Sequence, residues 1–444
     1  MSRIWTFSLI LEPFLYFNVF GDSSTGNLSK LLQIVVLLGL ICGFKRSRLS
    51  QSFSLFKYIY LFFFYSIFST AIFFLFAAIA PGVFSDILSP YSLNVYSFSP
   101  RFVIDFFSIA YKFIYFVVLA PIFLRTDKDF SFLYKTFLFF TVISLFLGSL
   151  DFILQLYGFD LIPRHFNDGV DVGLRFHGLW GEPRDAAVFL STIFLLFPLL
   201  DNFYTSSSFA ATCRLIISNK PFIIVALILT VSFSFIVSIL LFGLFYLFSS
   251  LSRISFRKLI VFILLSVFVI VLFSGLIAYV PRLHIYYQGF LELSILDEYN
   301  IPNVLKNAYN NIYPLTFRLN ECLNSFIIPS IFGSGNATSS SVNSLSLVYN
   351  GDYENPNSQL VRLLFENGIL GASLYIFGYL YAFRRIISSI VPSKYYLEVP
   401  LLLAFCATLA HRSSLDFIAL GIFYAYYIYK RRFSPGSCSK SVIA

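Results

Sequence analysis

Apolar runs of roughly 20 residues, the length that crosses the hydrocarbon core of a bilayer, recur from one end of the chain to the other, each closed by a short polar break. Set against the charged breaks, they predict about twelve spans, over 4–20, 28–44, 53–80, 102–124, 130–157, 186–201, 220–234, 236–252, 259–280, 358–383, 397–411 and 413–430. The stretch 220–252 also reads as one long tilted helix followed by a re-entrant piece. The pattern is that of an all-α polytopic membrane protein, a single integral membrane domain over 1–444.

Short breaks carry the basic residues. Lys45, Arg46 and Arg48; Arg125 and Lys128; Arg214 and Lys220; Arg253, Arg257 and Lys258; Arg384, Arg385 and Lys394; and Lys430, Arg431 and Arg432 all fall on one side of the twelve-span pattern. Cytoplasmic loops are enriched in Lys and Arg, so both termini are expected in the cytoplasm. Three segments on the opposite side are too long to be turns: 81–101, 158–185 and 281–357. The last is the largest polar region. Its stretch from Phe332 to Glu354 is rich in Gly, Ser and Asn, which predicts a loop rather than a packed helix. The pieces before it, Gln288 to Glu298 and Leu315 to Phe326, have helical patterns and are expected as short helices at the membrane surface.

Composition agrees with this reading. Of 444 residues, 58% are hydrophobic and only 12% charged, against about a quarter charged in soluble domains. The net charge of +9 resides in the topology-setting clusters, so no nucleic-acid partner is expected. Cys42, Cys213, Cys322, Cys406 and Cys438 show no metal-ligand spacing and imply neither a disulfide framework nor a zinc site. Met1-Ser2-Arg3 leads into an apolar run with no small-residue cleavage site, which predicts a retained first helix.

The densest polar cluster is Arg175-Phe-His-Gly-Leu-Trp-Gly-Glu-Pro-Arg-Asp185, at the mouth of a span. It holds Arg175, His177, Glu182, Arg184 and Asp185, an expensive concentration against hydrocarbon unless something binds it. The alternative is a topology-setting loop whose charges pair with one another. Asp185 also suits the cap of a helix beginning at Ala186.

Arg175-x-x-Gly178 followed by Gly181-Glu182-Pro183 resembles the RxxG…EP segment of the O-antigen polymerase (Wzy) family. Arg318 followed by Pro329-Ser-Ile-Phe-Gly333-Ser-Gly335 is similar to a stretch in the large periplasmic loop of the O-antigen polymerase and ligase superfamily. Asn357 to Gly371, above all Glu366-Asn-Gly368-Ile-Leu-Gly371, resembles that superfamily's entry into the following helix. Leu229 to Ser238 is similar to a further helix entry, with Phe233 where an Arg is often found. The ligase pattern's His falls on Asn357, or after a one-residue slip on Pro356, and the Glu-Pro pair at 182 and 183 replaces a Pro-Asn common in ligases. Both departures favour polymerase over ligase.

The resemblance implies a GT-C-like glycosyltransferase architecture in a bacterial inner membrane. It implies growth of a surface polysaccharide from undecaprenyl diphosphate-linked oligosaccharide donor and acceptor, with a chain-length regulator protein as partner and no cofactor. Departure of a diphosphate lipid gathers negative charge, which guanidinium groups stabilise because they stay protonated and fork onto phosphate oxygens. Arg175 and Arg318 are the catalytic candidates, with Arg184, Arg164 and Arg282 as substrate ligands. Glu182 is the candidate base for the acceptor hydroxyl. His177 and Asn357 are further substrate contacts, and His284 could titrate usefully. Sugar stacking would fall to Tyr286, Tyr287, Tyr299, Tyr309, Tyr313, Tyr349 and Tyr353, with amides from Asn303, Asn307, Asn310 and Asn311. Glu366 is expected to hydrogen-bond a neighbouring helix. No metal is expected. The competing class is a carrier of the lipid-linked unit, which would place ionisable residues at mid-membrane between broken helices.

Overall fold

The computed structural model describes residues 1–12, 28–43, 50–79, 101–162, 175–180, 183, 185–190, 214, 220–230, 306–323, 327–345, 356, 358–390, 405–406, 408–409 and 415–433. Among the described residues there is no strand. The helices are α1 (Ser2–Leu11), α2 (Leu28–Gly43), α3 (Ser50–Leu55), α4 (Lys57–Ile79), α5 (Arg101–Phe113), α6 (Ala120–Phe123), α7 (Asp127–Gln155), α8 (Lys220–Leu229), α9 (Lys306–Leu323), α10 (Ile328–Phe332), α11 (Thr338–Leu345), α12 (Gln359–Ile390) and α13 (Leu415–Phe433).

Among the described residues, four stretches are long and apolar enough to cross a membrane: Lys57–Leu75, Phe102–Phe123, Asp127–Gln155 and Gln359–Ser388. These are the cores of the spans expected over 53–80, 102–124, 130–157 and 358–383. The spans expected over 28–44 and 413–430 are the helices α2 and α13, and those expected over 4–20 and 220–234 open as α1 and α8. The remaining expected spans, 186–201, 236–252, 259–280 and 397–411, lie wholly or largely outside the described residues.

Local chemistry explains the helix ends. Thr126 caps α7 by accepting a hydrogen bond from Asp129 N at 3.3 Å, while Asp129 accepts one from Thr126 N at 3.1 Å, a reciprocal pair that satisfies two otherwise unpaired donors. Asp129 also accepts from Ser2 Oγ at 2.7 Å, tying the start of α1 to the start of α7. Between α5 and α6 the chain makes a π-helical turn over Ile114–Val118, with Leu119 N donating to Ile114 O at 3.0 Å. Gly421 on α13 faces that turn, where any side chain would collide with the Phe116 carbonyl.

The frame of the functional region is the antiparallel pair α4 and α12. Tyr58 packs on Phe377 and Tyr381, Phe62 on Tyr375, and Gly371 against the Tyr65 ring, so the register runs down one helix as it climbs the other. Lys57 and Arg385 both stand over the Tyr381 ring, which puts two cations together at one end of the pair.

One expectation is overturned. The Ser-rich stretch 338–345, read as loop, is the helix α11, and Ser339, Ser340, Val342 and Asn343 are fully buried. Small hydroxyl side chains let it pack close to its neighbours. They satisfy themselves locally: Ser340 donates to the Ala337 carbonyl and Ser344 to the Ser341 carbonyl. Leu315 to Leu323, by contrast, is helical as the pattern predicts.

Candidate functional site

The first candidate cluster is built on Arg175-Phe-His-Gly178, which lies between α7 and α8. Phe176 N donates to Leu229 O at 3.0 Å and Arg175 Nε to Thr230 O at 3.1 Å. Leu229 closes α8 and Thr230 follows it, at a helix end that leaves acceptors unpaired and favours a cation. Gly178 has φ +54°, and a Cβ there would lie 2.7 Å from the Ser144 carbonyl oxygen. Leu179 N donates to Ser144 Oγ at 2.9 Å. The glycine of the Arg-x-x-Gly pattern is therefore demanded by close approach to α7.

His177 is fully buried, with Nε2 3.4 Å from Asp151 Oδ2 and Nδ1 3.1 Å from the Gly178 carbonyl. Asp151 also accepts from Leu161 N and Ile162 N at 2.8 Å each. His177 is thus held inside the fold, between α7 and the Gly178 backbone. Pro183 and Asp185 are both helical, so Asp185 sits within a helix and does not cap one that starts at Ala186.

The second cluster joins α9, α10, α11 and α12. Helix α12 is broken at Gly368, whose φ and ψ are 64° and −176°. A broken helix leaves carbonyls without their usual partners, and the chain 318–335 supplies them. Gly335 N donates to Glu366 O at 2.9 Å, and Arg318 Nη2 and Ser334 Oγ donate to Phe365 O at 2.9 and 3.1 Å. Gly333, with φ +90°, lies directly on the break. A Cβ on it would collide with Glu366 O, and one on Gly368 would collide with Gly333 N and Ile331 O. The Phe332 carbonyl accepts from Tyr65 and Ser69 of α4 at 2.9 and 2.6 Å. Asn336 donates to Ser66 Oγ at 2.9 Å, fixing the turn before α11 to the same face of α4.

Arg318 is almost wholly buried and internally engaged. Its Nη1 contacts Glu321 at 2.5 Å, its Nη2 donates to Ser334 at 2.8 Å, and its guanidinium stacks 4.0 Å from the Phe365 ring centre. Its Nε has no partner among the described residues. Burial pushes the Glu321 carboxyl up to about 9 and draws the Arg318 guanidinium down to about 9, because both groups lose water. One step along α12, Arg362 Nε lies 3.1 Å from both carboxylate oxygens of Glu366, and its Nη2 is 2.6 Å from Asp105 on α5. Ser339 of α11 donates to Glu366 at 2.6 Å, the neighbouring-helix bond expected of Glu366.

Arg175 and Arg318 therefore belong to separate clusters, one resting on residues 151, 177, 178 and 230, the other on 321, 334 and 365. Glu182, Arg184, Arg164, Arg282, His284 and Asn357 lie outside the described residues, as do Tyr286, Tyr287, Tyr299, Tyr349, Tyr353 and Asn303. Sequence reasoning passed over Glu321, Arg362 and Asp105. The signals were present: Glu321 stands three residues after Arg318, Arg362 four before Glu366, and Asp105 is a lone carboxylate in an apolar span. Among the described residues, no group of three or more His, Cys, Asp or Glu is placed to hold a metal. No protein-family model, no curated protein and no solved structure matches the chain.

Proposed function

We propose that this chain is a glycosyltransferase that joins undecaprenyl diphosphate-linked oligosaccharide units into a surface polysaccharide at the outer face of a bacterial inner membrane, in the manner of an O-antigen polymerase. One observation carries the reading. Two stretches that resemble the polymerase and ligase superfamily, Arg318 to Gly335 and Glu366 to Gly371, form one interlocked unit in which the Gly333 backbone fits the break at Gly368. Residues distant in sequence that jointly demand glycine and arginine are what a shared signature would encode.

In the reaction, the acceptor hydroxyl oxygen bonds to the anomeric carbon of the donor while the bond from that carbon to the lipid diphosphate breaks. Glu182 takes the hydroxyl proton, and the departing diphosphate keeps the electron pair, its charge met by Arg175, with Arg184, Arg164 and Arg282 as further ligands. Arg318 has a different part. Its two terminal nitrogens are engaged by Glu321, Ser334 and Phe365, so it positions the unit around Gly368.

Deletion of the gene, with the surface polysaccharide displayed on a gel, tests the proposal. A polymerase mutant retains single repeat units on the lipid core and loses long chains, whereas long chains of normal length in the deletion strain contradict it. Loss of even single units points to the ligase of the same superfamily.

A second reading has an observation in its favour. Discontinuous helices carrying ionisable groups are how membrane carriers build sites for charged cargo. Helix α12 is broken at Gly368 with Arg362 and Glu366 beside the break, so a carrier of the anionic lipid-linked unit is the alternative. Accumulation of that unit in the inner leaflet of the deletion strain would favour it.

A further inference from the structure

The polar stretch that ends in α11 sits deep against helices suited to cross the bilayer. Ser69 of α4, which donates to Phe332 O, stands about 18 Å along the helix from Lys57 and about 15 Å from Ile79 at ~1.5 Å per residue. The antiparallel register gives the same level on α12, because Gly333 contacts Glu366 and Asn367 and Gly335 packs on Thr70. A hydrocarbon core is about 30 Å thick, so Phe332 to Asn336 lie level with its middle.

The surface of the segment fits that depth. Irregular backbone is tolerated among lipid only where protein covers it, and every residue from Gly333 to Ser340 is buried. Its backbone groups are met by protein: Gly335 N by Glu366 O, Asn336 N by Thr70 Oγ1, and the Gly335 carbonyl by Thr338 Oγ1. The large side chains left exposed are apolar, namely Ile327, Ile328, Ile331 and Phe332. They continue the exposed apolar face of α4, formed by Leu61, Phe64, Phe68 and Leu75.

We propose that residues 327–345 are a re-entrant element that dips to the middle of the membrane and returns, with Ile328, Ile331 and Phe332 in contact with lipid acyl chains. The inference depends on α4 and α12 crossing the bilayer and is independent of the polymerase reading. It carries Arg318, Glu321 and the break in α12 below the membrane surface.

Depth measurement in liposomes tests it. In a background with Cys42, Cys213, Cys322, Cys406 and Cys438 replaced, single cysteines at Ile331 and at Phe332 would carry a nitroxide label. Their accessibility to oxygen would be compared with that to a water-soluble nickel chelate. Phe68, exposed at mid-α4, and Tyr157, exposed past the end of α7, supply references on the same protein. The expected result is an oxygen-to-nickel ratio at both positions matching that at Phe68 and several-fold above that at Tyr157. Ratios matching Tyr157 overturn the proposal. So does a nickel-accessible Phe68, which would remove the span from which depth is measured. Both exposed positions tolerate a label without disturbing the core, and the two are read independently.

Discussion

Gly333 and Gly368 meet backbone to backbone: a Cβ on Gly368 would collide with Gly333 N and Ile331 O, and a Cβ on Gly333 with Glu366 O and Asn367, at the break in α12. This contact converts a break in α12 into a socket, because the carbonyls released by the break are taken up by Gly335, Ser334 and Arg318.

Alanine at either glycine must therefore relieve both a positive φ and a backbone collision. Gly158 provides the comparison: its φ is +81°, yet nothing lies within 4 Å of a Cβ there. Gly158→Ala is expected to cost about 1–2 kcal/mol for conformation alone, whereas Gly333→Ala and Gly368→Ala add overpacking and cost at least about 3 kcal/mol. Thermal unfolding of detergent-solubilised protein, followed by size-exclusion chromatography, checks the order.

Arg362 bridges Asp105 and Glu366 in a nearly dry setting. Arg362→Ala leaves two carboxylates facing each other, and breaking such a buried pair costs about 3–5 kcal/mol. Asp105→Asn, at a position nearer the surface, is expected to cost clearly less. The recovered fraction of folded protein in membranes measures both.

Arg318 and Glu321 separate structure from chemistry. Removing one partner strands the other charge, so Arg318→Ala is expected to reduce folded protein. Arg318→Met with Glu321→Leu, which removes both charges and keeps volume, is expected to restore most of it. A double variant that remains as unstable as the single one contradicts the ion-pair account.

Arg175 is the arginine assigned to the departing diphosphate. Arg175→Lys keeps the charge but loses the fork, and is expected to slow chain growth by about tenfold or more, equivalent to ~1.4 kcal/mol in the barrier. The folded level should stay at that of the parent, since a lysine still reaches a carbonyl at the end of α8. Polysaccharide length on a gel beside an immunoblot reads both quantities.

The spans were legible because apolar length and basic breaks act locally: α4, α7 and α12 fall where the runs fall. Thr126 with Asp129 even marks the start of α7 within three residues of the expected end. Helix α11 was not legible, because Ser339, Ser340 and Asn343 lose their loop character only when packed against α9 and α12, and Glu366, the partner of Ser339, lies far along the chain. The contact of His177 with Asp151 was not legible either, because Asp151 comes from α7, far away in the sequence. Local pattern therefore located Arg175 and Arg318, and only tertiary contact distinguished the arginine pinned to a helix end from the one spent on an ion pair.

The most direct test of the central claim is reconstitution. Purified protein in liposomes would be given undecaprenyl diphosphate-linked repeat units, and the products separated by size. The account predicts a ladder of longer lipid-linked glycans with release of one undecaprenyl diphosphate per bond formed, diminished by Arg175→Lys. Units that remain single, or that only change leaflet, would contradict it.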